Sequence, residues 1–97
     1  MQKPEPKFKI NDYVKVIDKE GNGNCYLKTG KIIDRWFSHA FFNNWRYTVE
    51  FFEPIHKGHY RWNTKGKEGK EGDCWNINEY RLELNLNYFA LEILLKD

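Results

Sequence analysis

Trp45-Arg46-Tyr47-Thr48-Val49-Glu50-Phe51 decides the fold class. Its odd-numbered positions are all aromatic or branched apolar residues, and its even-numbered positions are Arg, Thr and Glu. A period of two sends successive side chains to opposite faces, so the segment reads as a half-buried strand of an antiparallel sheet with Trp45, Tyr47, Val49 and Phe51 towards the core. On its N-terminal side, Ser38 to Asn44 break the pattern, and Asn43-Asn44 is the expected turn. Before that, Lys31-Ile32-Ile33-Asp34-Arg35-Trp36-Phe37 follows Gly30 and is β-branched, then aromatic, as a second strand would be. Tyr13-Val14-Lys15-Val16-Ile17 alternates around two valines and predicts another strand, closed by a Gly- and Asn-rich loop over 18–24. Residues 1–9 carry Pro and Lys without periodicity and predict a loosely held extended arm.

On the C-terminal side, residues 53–73 change character to Gly, Lys and acidic residues with few aliphatics, predicting a long solvated insertion whose sticky patch is Tyr60-Arg61-Trp62. Strand signals resume at Trp75-Asn76-Ile77 and, after a turn at Asn78-Glu79, at Tyr80-Arg81-Leu82-Glu83-Leu84. The tail changes period. Leu91, Leu94 and Leu95 take helical spacing behind a capping Asn87, so residues 87–96 read as a short helix rather than a sixth strand. Its apolar side either plugs an open end of the sheet or docks on another chain, a second copy included.

A chain of 97 residues is one domain, 1–97, and so short a chain needs large side chains for its core. The 17 aromatics supply them. With Ser38 as the lone serine, a serine hydrolase is excluded on inventory. No apolar run approaches the ~20 residues of a membrane span, so a membrane partner is not expected. The net charge of +2 is too balanced for a dedicated duplex-DNA binder. The start has no signal region, and Cys25 and Cys74 stand far apart, so reduced thiols and a cytoplasmic location are expected. Lys, Asn, Ile, Phe and Tyr, whose codons are AT-rich, make up 42 of the 97 residues, which favours a low-GC source such as a bacterium, a phage or a mobile element.

The order of parts resembles small SH3-like barrels. Phe8-Lys9-Ile10-Asn11-Asp12-Tyr13-Val14-Lys15-Val16 is similar to their F-x-x-G-D-x-V-x-V opening, Gly30-Lys31-Ile32-Ile33 to their second strand, Tyr47-Thr48-Val49-Glu50-Phe51 to their third, and Trp75 to Leu84 to their W-x-(apolar)-x-E-x-x-L-x-x-L ending. KOW-type ribosome and transcription modules, the small barrel subunit of photosystem I and the barrel domain of the nitrile hydratase β chain share this outline. The resemblance implies a mostly β protein: a five-stranded antiparallel SH3-like barrel with a long insertion between strands three and four and a short C-terminal helix. Asn11 replaces the pattern's Gly, and Asn is among the residues that tolerate positive φ there. No catalytic motif of these families maps onto the chain.

The chemistry-bearing residues form no strong constellation. His56 and His59 with Cys25 and Cys74 could supply four ligands, but zinc sites announce themselves with two close pairs, so the histidines read as solvated loop residues and no metal or cofactor is expected. Neither thiol carries a nucleophile motif with His39, and Glu50 with Glu53 reads as surface charge rather than an acid-base pair. Gly66-Lys67-Glu68-Gly69 is flexible and charged but no phosphate loop. The remaining signal is aromatic surplus. Trp36, Phe37, Phe41, Phe42, Tyr60 and Trp62 exceed the places in a small core, and with Arg61 they form the expected binding surface, mixed with Arg35, Arg46 and Lys57. Aromatic and Arg anchors suit a protein interface, while stacking rings beside cations suit single-stranded nucleic acid or RNA. The sequence therefore predicts a non-enzymatic binding module, an accessory or inhibitory protein docking on a host or complex protein, with single-strand binding as the alternative.

Overall fold

A computed structural model describes residues 3–40, 43–61 and 72–87. The chain is mostly β. Five strands, β1 (Tyr13–Val16), β2 (Thr29–Ser38), β3 (Asn44–Phe51), β4 (Cys74–Asn78) and β5 (Leu82–Leu84), form one unclosed antiparallel sheet in the order β4-β3-β2-β1-β5. A single 3-10 turn over Glu79–Arg81 links β4 to β5.

The alternation in β3 does what it predicts: Trp45, Tyr47, Val49 and Phe51 are all buried. They pack with Phe8, Val14, Val16, Cys25, Ile32, Ile55, Ile77 and Leu82 in one core, with Phe37 and Trp75 against its margin. Burying such rings and branched aliphatics stabilises the fold by about 1.5–3 kcal/mol each. Gly30 permits β2 and β3 to approach: a Cβ there would lie 2.6 Å from both the Glu50 carbonyl oxygen and Val49.

One irregularity in β2 sets the faces of the distal hairpin. The register runs Ile32↔Val49 and then Asp34↔Thr48, so Ile33 is an extra residue, a β-bulge. Past it the phase is inverted. Arg35 and Phe37 now share the core face with Tyr47 and Trp45, whereas Trp36 lies opposite Arg46 on the outer face.

Several expectations change. The N-terminal arm is held rather than loose: Phe8 is buried, Trp45 Nε1 donates to the Pro4 carbonyl at 2.6 Å, Arg35 donates to the Phe8 carbonyl at 2.7 Å, and the Lys7 amide donates to Glu79 at 2.9 Å. The described part of the 53–73 insertion is packed as well as solvated. Ile55 and His59 are buried, and His59 forms an isolated antiparallel bridge with Cys74. The alternation of Tyr80, Leu82 and Leu84 places Tyr80 on a core face, yet it is 59% exposed, because residues 79–81 turn before β5 begins. Asn11 does adopt the left-handed conformation, φ 76°, and its amide donates to the Ile32 carbonyl. The C-terminal helix expected over 87–96 lies outside the described residues apart from Asn87, which with Leu86 is helical. No helix among the described residues is long and apolar enough to cross a membrane.

Candidate functional site

The outer face of β2, β3 and β4 carries the candidate site. Antiparallel partners share a face, so the pairs Trp36↔Arg46↔Asn78 and Thr48↔Asn76 and the pair Glu50↔Cys74 are successive rungs on the side away from the core. Arg46 lies with its guanidinium carbon 5.9 Å from the centre of the Trp36 ring, and its Nη2 donates to the Asn76 carbonyl at 3.2 Å. Thr48 Oγ1 donates to Asn76 Oδ1 at 2.7 Å, which satisfies a hydroxyl that is wholly buried.

The predicted binding residues separate into three groups. Phe37 turns inward, edge-on to Trp45 at 5.7 Å and to His39 at 5.1 Å, and serves the core margin. Trp36, Tyr60 and Arg61 are available at the surface. Tyr60 is 45% exposed, and Arg61 Nε lies 3.7 Å from Glu50 Oε2. Because Glu50 is on the same face as Arg46, this ion pair brings Arg61 to the side that bears Trp36. Phe41, Phe42 and Trp62 lie outside the described residues.

Beside this face is a cleft of about 330 Å³ that the sequence reading missed. Gly21 and Asn22 from the β1–β2 loop, Arg46, His59, the β4 residues Trp75 to Asn78, and Arg81 line it. Trp75 stacks on His59 with ring centroids 5.3 Å apart and planes 17° off parallel, and its Nε1 donates to Asn22 Oδ1 at 3.2 Å. Burial, then the charge of Arg81, hold Arg46 below its ordinary pKa. Gly21, at φ 74°, lets the Arg81 guanidinium lie against the loop: a Cβ would be 2.9 Å from Nη1. The alternation of Trp75-Asn76-Ile77-Asn78 held a signal for the two asparagines. Arg81 had none, since its placement comes from the 3-10 turn.

The four residues that could supply zinc ligands, for which no metal is expected from sequence, are not brought together: His56 is exposed in a turn, and His59 stacks on Trp75. Among the described residues, Glu50, Asp73 and Cys74 do converge, with ligand atoms within 4.8 Å of one another. Their contacts are accounted for by the Arg61 ion pair to Glu50 and by the Cys74 thiol, which donates to Asp73 at 3.4 Å.

Both cysteines are free and buried. Burial pushes each thiol up to about 12, helped at Cys74 by the hydrogen bond to Asp73 and the nearby carboxylates. Burial and the hydrogen bond to Glu79 also raise the Tyr47 hydroxyl. These groups are acids whose folded pKa lies above the unfolded value, so above pH 9.0 the unfolded chain gives up thiol protons that the folded chain keeps. Stability from them is whole below that pH and falls towards about 12, at about 1.4 kcal/mol per pH unit for each thiol. Urea midpoints at about pH 8 and about pH 10.5 should show this loss, and a Cys25→Ala, Cys74→Ala double variant should flatten it. Equal slopes in the two proteins would refute the assignment.

Comparison of the chain with family models, with curated proteins and with solved structures finds no match.

Proposed function

We propose that this chain is a non-enzymatic binding module, a small accessory or inhibitory protein that docks on a protein target through the outer face of its sheet. The observation that carries the reading is the Arg61–Glu50 ion pair, which brings Arg61 onto the face where Trp36 lies over Arg46, with Tyr60 next to it in the chain. Aromatic and Arg side chains clustered on one face are the composition of interface anchors. Phe41, Phe42 and Trp62 adjoin this surface in sequence and belong to the same proposal. The SH3-like barrel is the finer fold reading we adopt. The strand order, the β1–β5 pairing and the 3-10 turn before β5 support it.

The non-catalytic part of the proposal has its own support. Thiols held up at about 12 stay protonated at neutral pH and make poor nucleophiles. Free, buried thiols also fit a reducing compartment such as the cytoplasm.

The test is affinity capture from a lysate of the source cell with the unmodified chain beside a Trp36→Ala, Tyr60→Ala variant. One protein retained in stoichiometric amount by the first and lost from the second is expected. Capture that survives the double substitution, or no capture at all, overturns the proposal.

A further inference from the structure

We propose that the cleft between Arg46 and Arg81 is a binding site for a nucleotide, with the phosphate held by the two guanidinium groups. This goes beyond the docking face and needs no protein partner.

The charge arrangement is the first reason. Two guanidinium groups and the His59 imidazole line the cleft, and none of its described lining residues is acidic. Asp18 approaches Arg81 from the Nε side, at 3.9 Å. Like charges gathered at a partly buried site repel each other, and an anion placed between them relieves that repulsion while accepting charge-assisted hydrogen bonds. Arginine's planar array of donors suits phosphate oxygens for the same reason.

The rest of the lining selects among anions. The polar wall adds no free acceptor, since Asn76 Oδ1 is engaged by Thr48 and Asn78 Oδ1 has no exposed surface. Trp75 and His59 form a parallel two-ring slab along the wall, a surface for a flat ring. A ligand with anionic oxygens and a planar ring satisfies both features, and a nucleotide has them. The volume, about 330 Å³, falls at the small end of ligand pockets, about 300–1,000 Å³, which suits a single nucleotide unit. An acidic side chain of a protein would answer the two arginines but not the aromatic slab.

The experiment titrates the full chain with adenosine 5′-monophosphate, uridine 5′-monophosphate, adenosine, an oligoglutamate peptide and a short oligouridine, following tryptophan fluorescence and calorimetry. Saturable binding of a monophosphate, stronger than adenosine or oligoglutamate, is expected. Arg81→Gln should weaken it at least about tenfold, the loss of one charge-assisted hydrogen bond. Gly21→Ala should weaken it with the charge count unchanged, since its Cβ would meet Arg81 Nη1. Lys9→Gln, on an exposed residue of the arm, should leave it unchanged and so separate the site from net charge. Oligouridine binding far more tightly than the monophosphate would identify a single strand as the source of the nucleotide, and equal affinity a free mononucleotide. No saturation up to about 10 mM, oligoglutamate binding as well as the monophosphate, or a folded Arg81→Gln variant with unchanged affinity would each overturn the proposal.

Discussion

Tyr47→Ala is expected to cost about 3–5 kcal/mol of folding stability, as other buried ring deletions do. The ring is wholly buried and stands edge-on to Phe8 at 5.2 Å. Its hydroxyl accepts from the Phe8 amide at 3.3 Å and donates to Glu79, whose same oxygen accepts from the Lys7 amide. One side chain thus ties β3 to the arm and to the 3-10 turn before β5. A domain of this size has about 5–15 kcal/mol in total, so the variant sits near unfolding at room temperature. Tyr47→Phe keeps the ring and leaves the Phe8 amide and Glu79 without that partner, for a cost of about 1–3 kcal/mol. Each kcal/mol lowers the melting temperature by roughly 4–8 °C. Urea denaturation monitored by tryptophan fluorescence measures both variants, and trypsin reports the arm through Lys7 and Lys9. Tyr47→Phe should open the arm to cleavage while the sheet stays folded. A loss below about 0.5 kcal/mol would show that the hydroxyl network is not holding these elements.

Gly58→Ala is the second large effect, with an expected loss of about 3 kcal/mol, the upper end for overpacking. A Cβ at Gly58 would stand 2.1 Å from the Gly72 carbonyl oxygen and 2.5 Å from Ile55 Cγ1. The first obstacle is backbone, so no rotamer change removes the clash. The Gly72 amide donates to the Gly58 carbonyl at 2.9 Å, and the Ile55 amide donates to the Gly72 carbonyl at 3.0 Å. Separating these chains also strains the reciprocal bonds between His59 and Cys74, at 2.7 and 2.8 Å. Amide exchange at His59 and Cys74 should accelerate, and the Cys74 thiol should react with a disulfide reagent that the unmodified chain resists. Gly23→Ala is the matched comparison. A Cβ there meets nothing within 4 Å, so it should be neutral or stabilising by up to about 1 kcal/mol. Similar losses in both variants would rule out the close approach as the cause.

The residues differ in how far their places could be read in advance. Alternation in β3 named four core side chains because a half-buried strand leaves no other face for them. The bulge in β2 was hidden, since Ile32 and Ile33 are equally apolar and branched and only the pairing with β3 tells which one is extra. That single ambiguity is why the sequence does not tell which of Trp36 and Phe37 faces the core. Tyr80, Leu82 and Leu84 alternate as a core strand would, yet only Leu82 is buried. Long-range bonds override the pattern there, from Tyr47 to Glu79 and from the Ile17 amide to the Arg81 carbonyl. His59 resembled any polar loop residue because its partners, Cys74 and Trp75, lie far along the chain. The Arg46–Arg81 cleft was invisible for the same reason: its walls come from four separate stretches of sequence.

An open sheet has ends at which another molecule can add a strand, and β4 is one of them. Part of that edge is already occupied. Cys74 exchanges both of its backbone bonds with His59, and the Asn76 carbonyl accepts from Arg46. His59 supplies one isolated bridge rather than a ladder, so it closes the edge without offering a new one. Together these contacts leave a second chain less of β4 to pair with than a bare edge strand would, and they do so with residues whose other neighbours are aromatic. The cover on that edge and the shape of the outer face therefore depend on the same arginine and the same histidine.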